Sequence, residues 1–231
     1  KHLSASTVKR DADRLEKYLY PTLGSRPVNN ITAKDLLMAL RRIEARGKHE
    51  TAHRTRAVAG RVLRYAVATG RAERDVTADL KGALAPSVTT NHAAIIDPVR
   101  VGELLRAIDG YVGQPEVAAA LKLAPLVFVR PGELRGAAWA EFELDGKDPT
   151  WRIPGERMKM GEQHIVPLST QALAVLQEIQ PLTGGDGRLV FPGLRSKDRP
   201  ISENTINAAL RRLGYSGDEQ TGHGFRTIAS T

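Results

Sequence analysis

The sequence predicts a mostly helical protein with a small antiparallel β-sheet: an all-helical first part, then an α+β second part. Three observations carry this. Through residues 4–80, apolar residues recur at helical spacing behind Ser/Thr caps and before Gly or Pro stops. The β-patterned runs "EFEL", "TWRIP" and "HIVPL" fall together between residues 141 and 168. Helical patterning lies on both sides of them.

"STVKRDADRLEKYLY" starts from a Ser/Thr cap and is expected to stop at Pro21, because a helix interior loses a hydrogen bond at proline. "TAKDLLMALRRIEARG" has Thr32 as cap, Asp35 placed for a capping box and an apolar stripe at Leu36, Leu37, Leu40 and Ile43, with Gly47 as stop. "ETAHRTRAVAGRVLRYAVATG" reads as a long helix buried through Val58, Val62, Leu63 and Ala66, with Arg54, Arg56, Arg61 and Arg64 on its outward side. A short helix near Ala78–Leu80 closes a four-helix unit, residues 1–84. The small and turn-forming residues of 85–95 read as a linker to a second domain, 96–231.

In that second domain "DPVRVGELLRAIDG" is a helix with Pro98 in its first turn. "PEVAAALKLAPLVFV" is apolar enough for a buried central helix and is expected to break at Pro125. The three strand-like runs follow, with "GERMKMGEQ" as a turn. "STQALAVLQEI" and "SENTINAALRRLG" return to capped helices.

Charge is unevenly shared. Residues 1–90 hold 18 Lys+Arg against 9 Asp+Glu, while residues 91–231 hold 16 against 17. A half-chain at +9 calls for a polyanionic partner, and nucleic acid is the common one. The absence of cysteine excludes disulfides and thiolate metal sites and fits a reducing compartment. No apolar run reaches membrane-spanning length, so no membrane partner is expected.

Two motifs invite chemistry. Residues 49–53 read His-Glu-Thr-Ala-His, the spacing that puts two imidazoles of a zinc peptidase on one helix face, but they sit among arginines that oppose a dication. His223 and Arg226 form a His-x-x-Arg, which alone is weak, since His53 and Arg56 repeat it. Its weight comes from company. Arg130 follows a buried apolar helix, and Glu133 is placed to hold it. Lys159 lies in the turn between two strands. Two arginines, a lysine and a histidine without an acidic metal cluster suit metal-free stabilisation of a phosphodiester transition state.

"RPGEL", a hairpin Lys before "VPL", and "GHGFR", in that order, resemble the catalytic domain of the tyrosine recombinases, the phage integrase family. "ERMKM", "IVPLS" and "ETAHRTRAVAGRVLRYA" are similar to its prophage-type members. The resemblance covers essentially the whole chain and implies a helical core-binding domain at 1–84 before the α+β catalytic domain. It implies that Arg130 and Arg226 clamp the scissile phosphate, Lys159 acts as general acid, His223 assists, and Glu133 supports Arg130. Arg54, Arg56, Arg61 and Arg64 would contact DNA.

The implied reaction is cleavage and rejoining of DNA through a 3′-phosphotyrosyl link, integrating or excising a prophage or genomic island without cofactor or metal. Its implied partners are double-stranded attachment sites, three further copies in a tetramer, and accessory DNA-bending or directionality factors, in the nucleoid of the cytoplasm. Tyr18, Tyr20, Tyr65, Tyr111 and Tyr215 all precede His223, and none matches the nucleophile motif. The chain is therefore expected to be a piece of a longer protein, inactive by itself. The alternatives are a DNA-binding protein on the same scaffold without strand cleavage, and, more remotely, a zinc peptidase using His49, Glu50 and His53.

Overall fold

Residues 3–87, 92–158, 160–185 and 188–231 are described by a computed structural model, which separates into two units, Lys1–Thr90 and Asn91–Thr231. No helix among the described residues is long and apolar enough to cross a membrane.

In the first unit Ser4 caps helix α1 (Ala5–Arg14). The helix does not end at Pro21. Its backbone widens into a π turn at Leu15–Leu19 and continues as α2 (Tyr20–Leu23), with Pro21 in the new first turn. A proline there has no N–H to lose, and the wider turn moves the carbonyl that its ring would strike. Helix α3 (Ala33–Glu44) opens with the capping box, in which the Asp35 N–H donates to Thr32 at 3.2 Å and the Thr32 N–H to Asp35 at 3.1 Å.

Helix α4 (His49–Ala68) packs on α3 and on the 3₁₀ turn that follows, and buries Ala52, Thr55, Val58, Ala59, Gly60, Leu63 and Ala66. Val62 is exposed, contrary to expectation, because small residues form the seam and shift the buried face. At Gly60 a methyl group would lie 2.8 Å from the Thr77 hydroxyl, so the 3₁₀ turn Val76–Leu80 packs directly against the helix backbone.

The second unit is built around α6 (Pro115–Val127), which packs against α5 (Pro98–Asp109), α8 (Thr170–Thr183) and α9 (Thr205–Arg212). Helix α6 runs through Pro125 instead of breaking there. Leu121, Leu123, Ala124 and Val127 are all buried around it, and their burial outweighs one absent backbone hydrogen bond. Helix α7 (Pro131–Arg135) and a 3₁₀ turn at Trp139–Glu141 lead into an antiparallel sheet. Its strands are β1 (Phe142–Glu143), β2 (Thr150–Ile153) and β3 (His164–Pro167), with β2 in the middle. Trp151 pairs with Phe142 and Val166 and is fully buried.

A second hairpin, β4 (Pro192–Gly193) and β5 (Ser196–Pro200), was not expected from the sequence. Helix α9 starts at Thr205, later than "SENTIN" suggested, and Asn204 makes no side-chain cap. The terminal helix is α10 (Gly224–Ser230), with His223 at its cap position.

Much of the segment read as a linker is tied down. The Ala85 N–H donates to Glu44 and the Ser87 hydroxyl to Glu50, within the first unit. Ile95 is buried in the core of the second. Residues 88–91 lie outside the described residues.

Candidate active site

The geometry begins where α6 ends. Phe128 adopts a left-handed conformation, φ 50°, and reverses the chain so that Arg130 becomes the cap residue of α7. Glu133, one turn on, points back. It accepts the Arg130 backbone N–H at 2.8 Å and the Arg130 guanidinium at 2.7 Å. The carboxylate is 5% exposed and the arginine side chain 37%, so the acid is fixed in the core while one face of the base stays open.

A second arginine braces this corner from behind. Arg157 donates to the Glu133 carbonyl at 2.7 Å and pairs with Glu141, which also accepts the Trp151 indole N–H at 2.9 Å. The Trp151–Glu141–Arg157 chain thus ties the α7 corner to the sheet core. Arg157 and Glu141 carried no signal in the sequence, because their partners lie 16 and 24 positions from Arg157.

The Thr221–Arg226 stretch supplies the other wall. Arg226 donates to the Phe128 carbonyl at 2.7 Å, so the left-handed turn before Arg130 also holds the second guanidinium. His223 stacks on His92, ring centroids 4.2 Å apart. Its proton affinity is held below the usual imidazole value near 6.5, first by partial burial, then by His92, Arg226 and Arg130, with Glu133 opposing. Arg130, Glu133, His223 and Arg226 are therefore one electrostatic group. Lys159 lies outside the described residues.

Two consequences can be measured. A methyl group on Gly224 would fall 2.3 Å from the Ala93 carbonyl, a backbone atom that cannot swing aside. Gly224→Ala is expected to destabilise the second unit by about 1–3 kcal/mol in urea unfolding. The depressed basicity of His223 also has a sign. Below the unfolded imidazole value near 6.5 the unfolded chain binds the proton first, so this group withdraws stability as pH falls through that value. The loss is complete below the folded value. His223→Gln is expected to remove that part of the acid-side decline in melting temperature.

The remaining candidates fare differently. Arg54 pairs with Glu50 at 2.7 Å, Arg56 donates to the Leu80 carbonyl at 2.9 Å, Arg61 pairs with Asp11, and Arg64 pairs with Asp75 at 2.9 Å. Arg56, Arg61 and Arg64 line one groove of about 440 Å³ with His53, while Arg54 stands outside it. The His-Glu-Thr-Ala-His motif does not assemble. His53 hydrogen-bonds the Ala85 carbonyl at 2.8 Å, Glu50 is held by Arg54 and Ser87, and His49 lies 3.9 Å from Glu44. Among the described residues no three His, Cys, Asp or Glu side chains group as metal ligands.

Residues 1–83 match the phage integrase central domain, and residues 96–231 match the phage integrase family. The chain belongs to the phage integrase family.

The integrase of Enterobacteria phage P4 is 37% identical over 228 residues, covering 93% of this chain and 51% of its own length. Prophage integrase IntZ of Escherichia coli (strain K12) is also 37% identical, over 99% of this chain and 55% of its own. The chain spans about half the length of the curated relatives it matches. Among solved structures, a lambda integrase dimer bound to a COC′ core site has a TM-score of 0.74 at 20% identity, over 100% of this chain and 80% of that one. The Tn1549 transposon integrase, bound to circular-intermediate DNA, has a TM-score of 0.72 at 14% identity, over 98% and 80%. These likenesses show the fold, mostly helical with a small antiparallel sheet.

Proposed function

We propose that the chain belongs to a site-specific DNA recombinase that breaks and rejoins DNA by metal-free transesterification, moving a prophage or genomic island. The observation that carries this is the convergence of two guanidiniums and an imidazole at one corner, with Glu133 fixed behind Arg130. In this reading residues 1–84 grip the duplex, residues 85–95 connect, and residues 96–231 carry the chemistry.

Arg130 and Arg226 hold the non-bridging oxygens of the scissile phosphate and balance the charge that builds in the transition state. A tyrosine oxygen bonds to phosphorus as the bond to the 5′-oxygen breaks. His223 accepts the tyrosine proton, and Lys159 donates one to the departing oxygen. Return of a 5′-hydroxyl reverses the exchange, so no nucleotide is consumed. The tyrosine is not assigned within the chain. Tyr18, Tyr20 and Tyr65 lie in the first unit, Tyr111 is buried and accepts from Arg212 at 3.4 Å, and Tyr215 packs on the core. It is supplied by the remainder of the full-length protein, which acts as a tetramer on two duplexes with accessory factors, in the nucleoid.

The parent protein is expected to exchange strands between attachment-site duplexes in the presence of EDTA and without ATP. A requirement for either a divalent ion or a nucleotide would overturn the reading. The chain itself is expected to bind duplex DNA with a log–log salt slope of about −0.9 for each phosphate neutralised. Salt-independent binding would mean that the basic first unit does not meet the backbone.

A further inference from the structure

We infer that His92 is a positioning residue for His223: its ring, 4.2 Å away and tilted by 37°, fixes the orientation of that imidazole. The inference rests on the recombinase reading for its purpose and on the contact between the two rings for its existence.

His92 is held by its own neighbours. The Ala93 carbonyl accepts both the Thr221 N–H at 3.1 Å and the Thr221 hydroxyl at 3.3 Å. The Ile95 N–H donates to the side chain of Gln220 at 2.9 Å, and both residues are buried. Gly224 admits this strap because it has no side chain to collide with Ala93. A four-residue segment is thereby bound along the loop that carries His223, and His92, at its start, meets the ring.

The titratable and charged groups facing His223 are His92 on this strap, Arg226 on its own helix, and Arg130 and Glu133 at α7. Glu133 is already committed to Arg130 through two hydrogen bonds, so it offsets little. A proton on His223 would sit beside two guanidiniums and one engaged carboxylate, in a partly buried place. The imidazole stays neutral while the arginines carry the charge needed for phosphate. It is then free to take the proton of an attacking hydroxyl, and the negative phosphate stabilises the imidazolium once formed. His92, in contact with the histidine rather than with the phosphate, acts only through it.

The test follows the His223 ring by NMR in the chain with isotopically labelled histidine, its signals assigned with His223→Gln. His92→Phe keeps an aromatic ring and removes the ring nitrogens, while His92→Ala removes both. His92 is exposed, so neither variant threatens the fold. The titration midpoint of His223 is expected to move up in both variants, and His92→Ala is expected also to lose the ring-current shift on the His223 carbon-bound protons. In the full-length parent, His92→Phe is expected to move the acidic limb of the covalent-adduct rate to higher pH. An unmoved midpoint in both variants overturns the inference and leaves the recombinase reading standing. Absence of any adduct from the unmodified parent overturns that reading and leaves the imidazole pair in place.

Discussion

Replacing Arg130 by alanine in the full-length parent is expected to slow covalent adduct formation by at least about 10²–10³-fold while most duplex affinity survives. A preorganised donor aimed at developing charge has its largest effect in the transition state, and Arg130 is preorganised by two hydrogen bonds to one buried carboxylate. Affinity is spread more widely, since residues 1–90 alone carry a net +9. The alanine variant leaves Glu133 buried with its backbone donor but without its guanidinium, at a cost of about 1–3 kcal/mol. Arg130→Lys separates the two effects, because it keeps the charge beside Glu133 and loses the planar fork. If adduct yield and affinity fell in proportion, the arginine would only grip DNA.

The second large effect lies in the core behind the sheet. Trp151→Ala is expected to destabilise the second unit by about 3–5 kcal/mol, from packing and cavity formation around a fully buried indole. Against a typical domain stability of about 5–15 kcal/mol, that leaves little margin at physiological temperature. The indole also holds Glu141, which holds Arg157, which holds the Glu133 carbonyl. Trp151→Phe keeps most of the packing and loses the N–H bond. It is expected to cost less stability in urea unfolding than the alanine change, yet still to slow adduct formation. A Phe variant with wild-type rate would show that the brace does not reach the site.

What the sequence revealed and what it concealed divide along physical lines. The Thr32–Asp35 box, Pro98 at the start of α5 and the alternation of Thr150–Ile153 in β2 are local signals, and they could be read directly. Pro21 and Pro125 were misleading because a π turn in one case and a buried apolar helix in the other absorb the missing donor. The β4–β5 hairpin was concealed because "SKDRP" has no apolar alternation.

At the site, Arg130, Glu133, His223 and Arg226 were identifiable as chemistry-bearing residues in an ordered set, and the fold draws them into one charged group. The stack of His92 on His223 and the Arg157–Glu141 brace depend on segments far apart in the chain, and no periodicity marks them. The four basic positions on α4 read as an outward side, and each also holds a partner in its own unit. Each uses one guanidinium nitrogen for that bond, which leaves further N–H donors for a phosphate.

The central claim is that Arg130, His223 and Arg226 hold a phosphodiester for attack by a tyrosine. The most direct measurement is covalent trapping of the full-length parent on a nicked suicide duplex carrying its attachment site, resolved on a denaturing gel. The account predicts a protein–DNA adduct through a 3′-phosphate, formed in EDTA and lost in Arg226→Ala at equal DNA occupancy. Intact binding without an adduct, or an adduct undiminished by Arg226→Ala, would contradict it.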